Sequence, residues 1–156
     1  MGRLKGIPDA LSPDILHLLA VTGHGDQIVL ADMNFPTHSL CMGEGRPKEY
    51  RADGVSISTL LPAILQLMPL DWYHKWQMAV MEMTPEDQKK SGSNLAPVVE
   101  IYRDVANKCE GVTDKSVIIQ PIERFAFYEY CKSTFAIIQT GDTTPYANVI
   151  LTRGVC

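Results

Sequence analysis

Long apolar runs are missing from this sequence. No stretch approaches the ~18 consecutive apolar residues of a bilayer-spanning helix, so no membrane partner is expected. An excess of cations is missing too. Fourteen Lys and Arg stand against 18 Asp and Glu, a net charge of −4, which offers nucleic acid or an anionic surface nothing to recognise. Cysteine pairs at C-x-x-C spacing are absent: the four thiols lie at 41, 109, 131 and 156 and read as reduced. His38-x-x-Cys41 could begin a zinc site, but no second pair of matching spacing completes the roughly four ligands that structural zinc needs. No phosphate-cradling glycine loop and no G-x-S-x-G nucleophile elbow occur. Arg3 and Lys5 near the start are followed by Pro8, Asp9, Ser12, Pro13 and Asp14, not by a signal-peptide core. The expectation is a cytoplasmic protein that needs neither metal nor cofactor.

What is present suits one ordinary globular domain over 1–156, 46% hydrophobic and 21% charged. A chain of this size buries roughly 70% of its unfolded surface. Ser12-Pro13-Asp14 opens a helix, with Ser as N-cap, Pro in the first turn and an acid near the N-terminal dipole, and Gly23 is the expected stop. A strand follows at 27–31, then a loop over 34–49 and a short extended piece at 50–52. Ser56 or Ser58 caps a helix to about Leu67 with Leu60, Leu61, Ile64, Leu65 and Met68 inward. Residues 76–83 read as a strand, 84–87 as a polar helix or turn, and 89–93 as a soluble loop. The helix 96–109 carries Val98, Ile101, Tyr102, Val105 and Cys109 on or near one stripe. Val117-Ile118-Ile119 reads as a strand, 123–132 as a helix, and 135–138 and 149–151 as two more strands. This alternation predicts an α/β fold: a three-layer α/β/α domain with a mixed, largely parallel sheet.

In such sheets ligands gather at the carboxyl ends of strands, and His24, Asp32 and Asp71 all lie on segments that could reach that edge. His24 sits between two glycines. Its imidazole can give or take a proton near neutrality, although a solvated loop histidine would look the same. Asp32 ends the first strand, where Asp also serves as an ordinary turn residue. Asp71 precedes Trp72 and Tyr73, which could form a platform for a sugar face or simply belong to the core. Arg124 and Tyr128 are four apart on one helix and share a face. Together they offer planar donors and a hydroxyl for a hydroxyl-rich ligand, or a plain surface stack. Tyr146 and Asn148, one residue apart, point the same way if that segment is extended.

Ten blocks in order turn these fragments into a pattern: Leu4-Lys5-Gly6-Ile7-Pro8, Leu11-Ser12-Pro13, Gly23-His24-Gly25-Asp26, Ala31-Asp32, Asn34-Phe35-Pro36, Arg51-Ala52-Asp53-Gly54, Glu123-Arg124-Phe125-Ala126-Phe127-Tyr128-Glu129, Phe135-Ala136, Thr140-Gly141 and Tyr146-Ala147-Asn148. The chain resembles the fucose mutarotase and ribose pyranase family over nearly its whole length, most closely the L-fucose branch. The resemblance implies interconversion of sugar anomers without a cofactor, in a ring-like homo-oligomer, typically a decamer of stacked pentamers. It puts His24 in the place of the general acid and Tyr128 in a second catalytic place. Asp32, Asp71, Arg124, Tyr146 and Asn148 take substrate-binding places. Tyr146-Ala147-Asn148 departs from the Tyr-Gly-Asn of the fucose branch toward the ribose pyranases. L-fucose is the expected substrate, D-ribose and D-galactose are alternatives, and a sugar-binding module without turnover is the rival of another class.

Overall fold

The computed structural model describes residues 4–156. Helix α1 (Pro13–Val21) begins as its sequence predicts: the Ser12 side chain accepts the Ile15 N–H. Strand β1 (Gln27–Ala31) follows, then a five-residue helix α2 (Thr37–Cys41) and strand β2 (Lys48–Ala52). Helix α3 (Ile57–Leu65) is capped by Ser56. Strand β3 (Met78–Met81) is followed by α4 (Pro85–Ser91), α5 (Val98–Glu110), β4 (Ile119–Ile122), α6 (Arg124–Cys131), β5 (Ala136–Thr140) and β6 (Val149–Thr152).

The six strands form one sheet in the order β2-β5-β1-β6-β3-β4. Five run in one direction, and β6 alone runs against both of its neighbours, β1 and β3. The expected mixed, largely parallel sheet is therefore present. Its central strands carry continuous apolar runs because both faces are covered. Ile28, Leu30, Val80 and Val149 face a core shared with α1, α3 and α5. Val29, Ala31, Ala79 and Ile150 face a second core shared with α2 and α6. Three layers result.

Five expectations need correction. The loop over 34–49 contains α2 and the start of β2. The strand at 117–119 lies further on, at Ile119–Ile122, because the Val117 N–H is already taken by the Asn107 side chain. The strand over 76–83 shortens to Met78–Met81, and α4 reaches into the supposed loop at 89–93. On α5 the buried face is Val98, Val99, Tyr102 and Ala106, whereas Ile101 and Cys109 are exposed.

Candidate active site

The candidate residues divide between the two ends of β1. His24 precedes the strand and Asp32 follows it. Five residues at about 3.3 Å each hold them roughly 17 Å apart. The expectation that His24, Asp32 and Asp71 share the carboxyl edge is thus corrected: Asp32 is there, while His24 and Asp71 occupy the opposite edge.

At the His24 edge the imidazole Nε2 lies 3.1 Å from Asp71 Oδ2. An ionised carboxylate only accepts, so Nε2 carries a proton in this pairing, and in the neutral ring Nδ1 is the atom with the lone pair. His24 is half exposed (48%), whereas the Asp71 side chain is 5% exposed. The other Asp71 oxygen accepts the Tyr73 N–H at 2.9 Å. The Asp71 backbone is held by Thr152 and by the Gln77 side chain. Tyr73, 83% exposed, stands edge-on to His24 at 6.0 Å between ring centres, so it forms part of this edge and not of the core. Glycine at two positions makes the pairing of such distant segments feasible. Gly25 has φ 84° and donates its N–H to the Arg153 carbonyl. Gly154 packs directly on the Asp71 loop: a Cβ there would lie 2.9 Å from Asp71 Cα and closer still to the Leu70 carbonyl.

At the carboxyl edge Asp32 and Asn148 grip each other. The Asp32 N–H donates to Asn148 Oδ1 at 2.8 Å, and Asn148 Nδ2 donates to Asp32 Oδ2 at 2.9 Å. The Asn34 N–H occupies the other oxygen at 2.9 Å. Burial raises the Asp32 carboxyl above its ordinary value, against these hydrogen bonds and with help from the Asp142 charge. Arg124 Nε donates to the Tyr128 hydroxyl at 3.1 Å, as their helical spacing predicts. Tyr128 also packs edge-on against Phe35 at 5.4 Å, which ties α6 to the turn after Asp32. Tyr146 and Asn148 do not point the same way, because Tyr146 is in the left-handed region at φ 58°. The Tyr146 hydroxyl donates to Asp87 Oδ2 at 2.6 Å, away from Asn148.

Three supporting residues escaped the sequence reading. Asp142 accepts the Ile57 and Thr144 N–H groups at 2.8 Å. Fully buried Tyr102 donates to the Ala147 carbonyl at 2.9 Å, which steadies the segment between Tyr146 and Asn148. Burial, with the Asp142 and Asp32 charges, pushes its phenol well above the ordinary tyrosine value. Gln139 donates to the Asp32 carbonyl at 2.6 Å. Tyr102 is expected only as part of the helix stripe, and Asp142 and Gln139 leave no signal in the sequence beyond the neighbouring Thr140-Gly141 block. His38, considered as a metal ligand, instead meets Glu49 at 2.8 Å. Burial pushes the Cys41 thiol up to about 11 and Cys131 further, so neither is a ready thiolate nucleophile. The chemistry these two edges can perform is proton transfer to and from a polar ligand.

A family model described as the RbsD / FucU transport protein family matches residues 5–156. The chain belongs to this family. Among RbsD / FucU relatives, the fucose mutarotase of Bos taurus is 47% identical over 152 residues, 97% of this chain and 94% of that one. The crystal structure of the fucose mutarotase in complex with L-fucose from Streptococcus pneumoniae is 40% identical, covers 98% of this chain and 99% of its own, and superposes with a TM-score of 0.83. Bacillus subtilis RbsD complexed with D-ribose, at 21% identity and a TM-score of 0.66 over 99% of each chain, shares the fold. The resemblance carried by the ten ordered blocks is borne out.

Proposed function

We propose that this chain is a cytosolic L-fucose mutarotase whose active site is assembled from the opposite edges of two copies. The observation that carries the activity is 40–47% identity, over nearly the whole length, to fucose mutarotases. The much lower identity to the ribose-bound relative favours L-fucose over D-ribose. The division of the candidate residues supports the assembly. One edge offers a proton carrier with few groups to hold a sugar. The other offers Asp32, Arg124 and Asn148 to hold it, with Tyr128 beside them. Joining unlike edges of identical chains is a heterologous contact, and such contacts form a ring where the rotation between copies closes. The family resemblance further implies a decamer of two stacked pentamers.

The reaction is a balanced proton exchange. A base takes the proton of the anomeric hydroxyl while an acid protonates the ring oxygen. The bond from the anomeric carbon to the ring oxygen breaks and an aldehyde forms. Rotation about the adjacent carbon–carbon bond then exposes the other carbonyl face. Reversal of the proton transfers closes the ring as the opposite anomer. His24 Nδ1 and the Tyr128 hydroxyl are the two proton carriers. Asp71 keeps the His24 tautomer that leaves Nδ1 free, and Arg124 orients the Tyr128 hydroxyl. Positioned acid–base groups supply about 10²–10⁴-fold, roughly 3–5 kcal/mol of barrier.

Exchange NMR at the anomeric protons of L-fucose, D-ribose and D-galactose, with and without protein, tests the reading. Faster exchange for L-fucose than for the other two is expected. Unchanged rates for all three with stoichiometric protein would leave only a sugar-binding module.

A further inference from the structure

The segment that carries Asp71 lies between α3 and β3 and has a single β-bridge residue, Leu70, paired with Arg153. A segment with so little regular structure must find other partners for its polar groups. Glu110, the last residue of α5, supplies them. Its Oε1 accepts the Leu70 N–H at 2.8 Å and its Oε2 accepts the Trp72 indole N–H at 2.8 Å. These donors belong to the residues immediately before and after Asp71. Lys115 Nζ sits 3.9 Å over the Trp72 ring and covers the indole. Hydrogen bonds to an ionised acceptor are about twice as strong as neutral ones. Glu110 thus grips the chain on both sides of Asp71, and Asp71 in turn holds His24.

We propose that Glu110 is a positioning residue of the reaction: its two-point grip on Leu70 and Trp72 sets the place of the Asp71 carboxylate and, through it, the aim of the His24 ring. The proposal rests on reading His24 and Asp71 as the proton-transfer pair. Glu110 contacts neither His24 nor any of the sugar-holding residues at the other edge. Its loss therefore degrades the chemical step and spares binding.

The test uses the whole chain and L-fucose exchange rates measured from dilute to saturating sugar. Glu110→Gln keeps the shape but replaces one accepting oxygen by a donor. It should lower kcat about tenfold, and Glu110→Ala should lower it toward about 10²-fold, the scale of an ångström-sized misplacement. KM should stay within about twofold in both, because Asp32, Arg124 and Asn148 are untouched. The Trp72 indole N–H resonance should move in Glu110→Gln while that of Trp76 stays. In an Asp71→Ala background, Glu110→Gln should change kcat by less than about twofold, since no carboxylate remains to be aimed. A Glu110→Gln protein with parent kcat overturns the proposal. So do losses that multiply in the double variant, which would mark a general structural role. If Glu110→Ala fails to fold, the Gln variant and the double variant decide alone. If His24→Ala exchanges L-fucose at the parent rate, the proton-transfer pair falls first and the role of Glu110 falls with it.

Discussion

The proposed division of the site between two copies is tested by rebuilding it from two broken chains. His24→Ala removes the imidazole at one edge. Tyr128→Phe removes the hydroxyl at the other and keeps the ring against Phe35. Each homogeneous protein should retain about 1% of parent exchange, the low end of what one acid–base group contributes. In a ring assembled from equal amounts of both, each site takes its His24 edge from one copy and its Tyr128 edge from the next. Each edge is intact in half of the copies, so about one quarter of the sites are whole. Activity should therefore rise to roughly a quarter of parent, about 25-fold above either variant alone. Co-expression with two different affinity tags, tandem purification and native mass spectrometry would establish mixed assembly. Anomeric exchange NMR on L-fucose would then read the recovery. A verified mixed ring that stays near 1% would refute the shared site and require each site to lie within one chain.

Other outcomes follow from single contacts. Gly154→Ala should cost about 1–3 kcal/mol in urea unfolding, the usual penalty of overpacking, and should also slow exchange, because the new Cβ meets the backbone at Leu70 and Asp71. Tyr102→Phe leaves the buried Ala147 carbonyl without its donor and should cost about 1–3 kcal/mol on the same measurement. Burial raises the Asp32 carboxyl, so its contribution to folding is fully present below its unfolded value and declines as pH rises through the folded value. The stability difference between parent and Asp32→Ala should accordingly be larger at pH 4 than at pH 7, measured by urea unfolding at each pH.

The layers were legible because local chemistry and tertiary packing agree there. Ser12 and Ser56 are N-caps in sequence and in space, and the apolar runs of β1, β3 and β5 are strands buried on both faces. Helix α2 was not legible, since five residues behind Pro36 with only Thr37 and Leu40 buried give no periodic signal. Nor was the true extent of β4, which contains Pro121. An edge strand tolerates a proline that a central strand would not. At the site, the Arg124–Tyr128 pair was legible as a helical i, i+4 contact. The partner of His24 was not, because Asp71 is 47 residues away and is brought near by a close backbone approach at Gly154. Residue type and position singled out every candidate residue, and the order of the motifs supplied the roles that the resemblance implies. Their division between two edges follows from the direction of β1, which no motif records.

Strand β6 has a consequence for the permitted length of this chain. It is the one strand running against the rest of the described strands, so its start adjoins Asn148 at the Asp32 edge and its end adjoins Arg153 and Gly154 at the His24 edge. Its four residues are buried on both faces and bonded on both sides. A one-residue insertion or deletion within it would turn every following side chain to the opposite face and displace one edge relative to the other. The sheet-rim strands β2 and β4 have no such double attachment. Length variation among functional variants should therefore collect around β2 and β4 and be absent from Asn148 to Gly154.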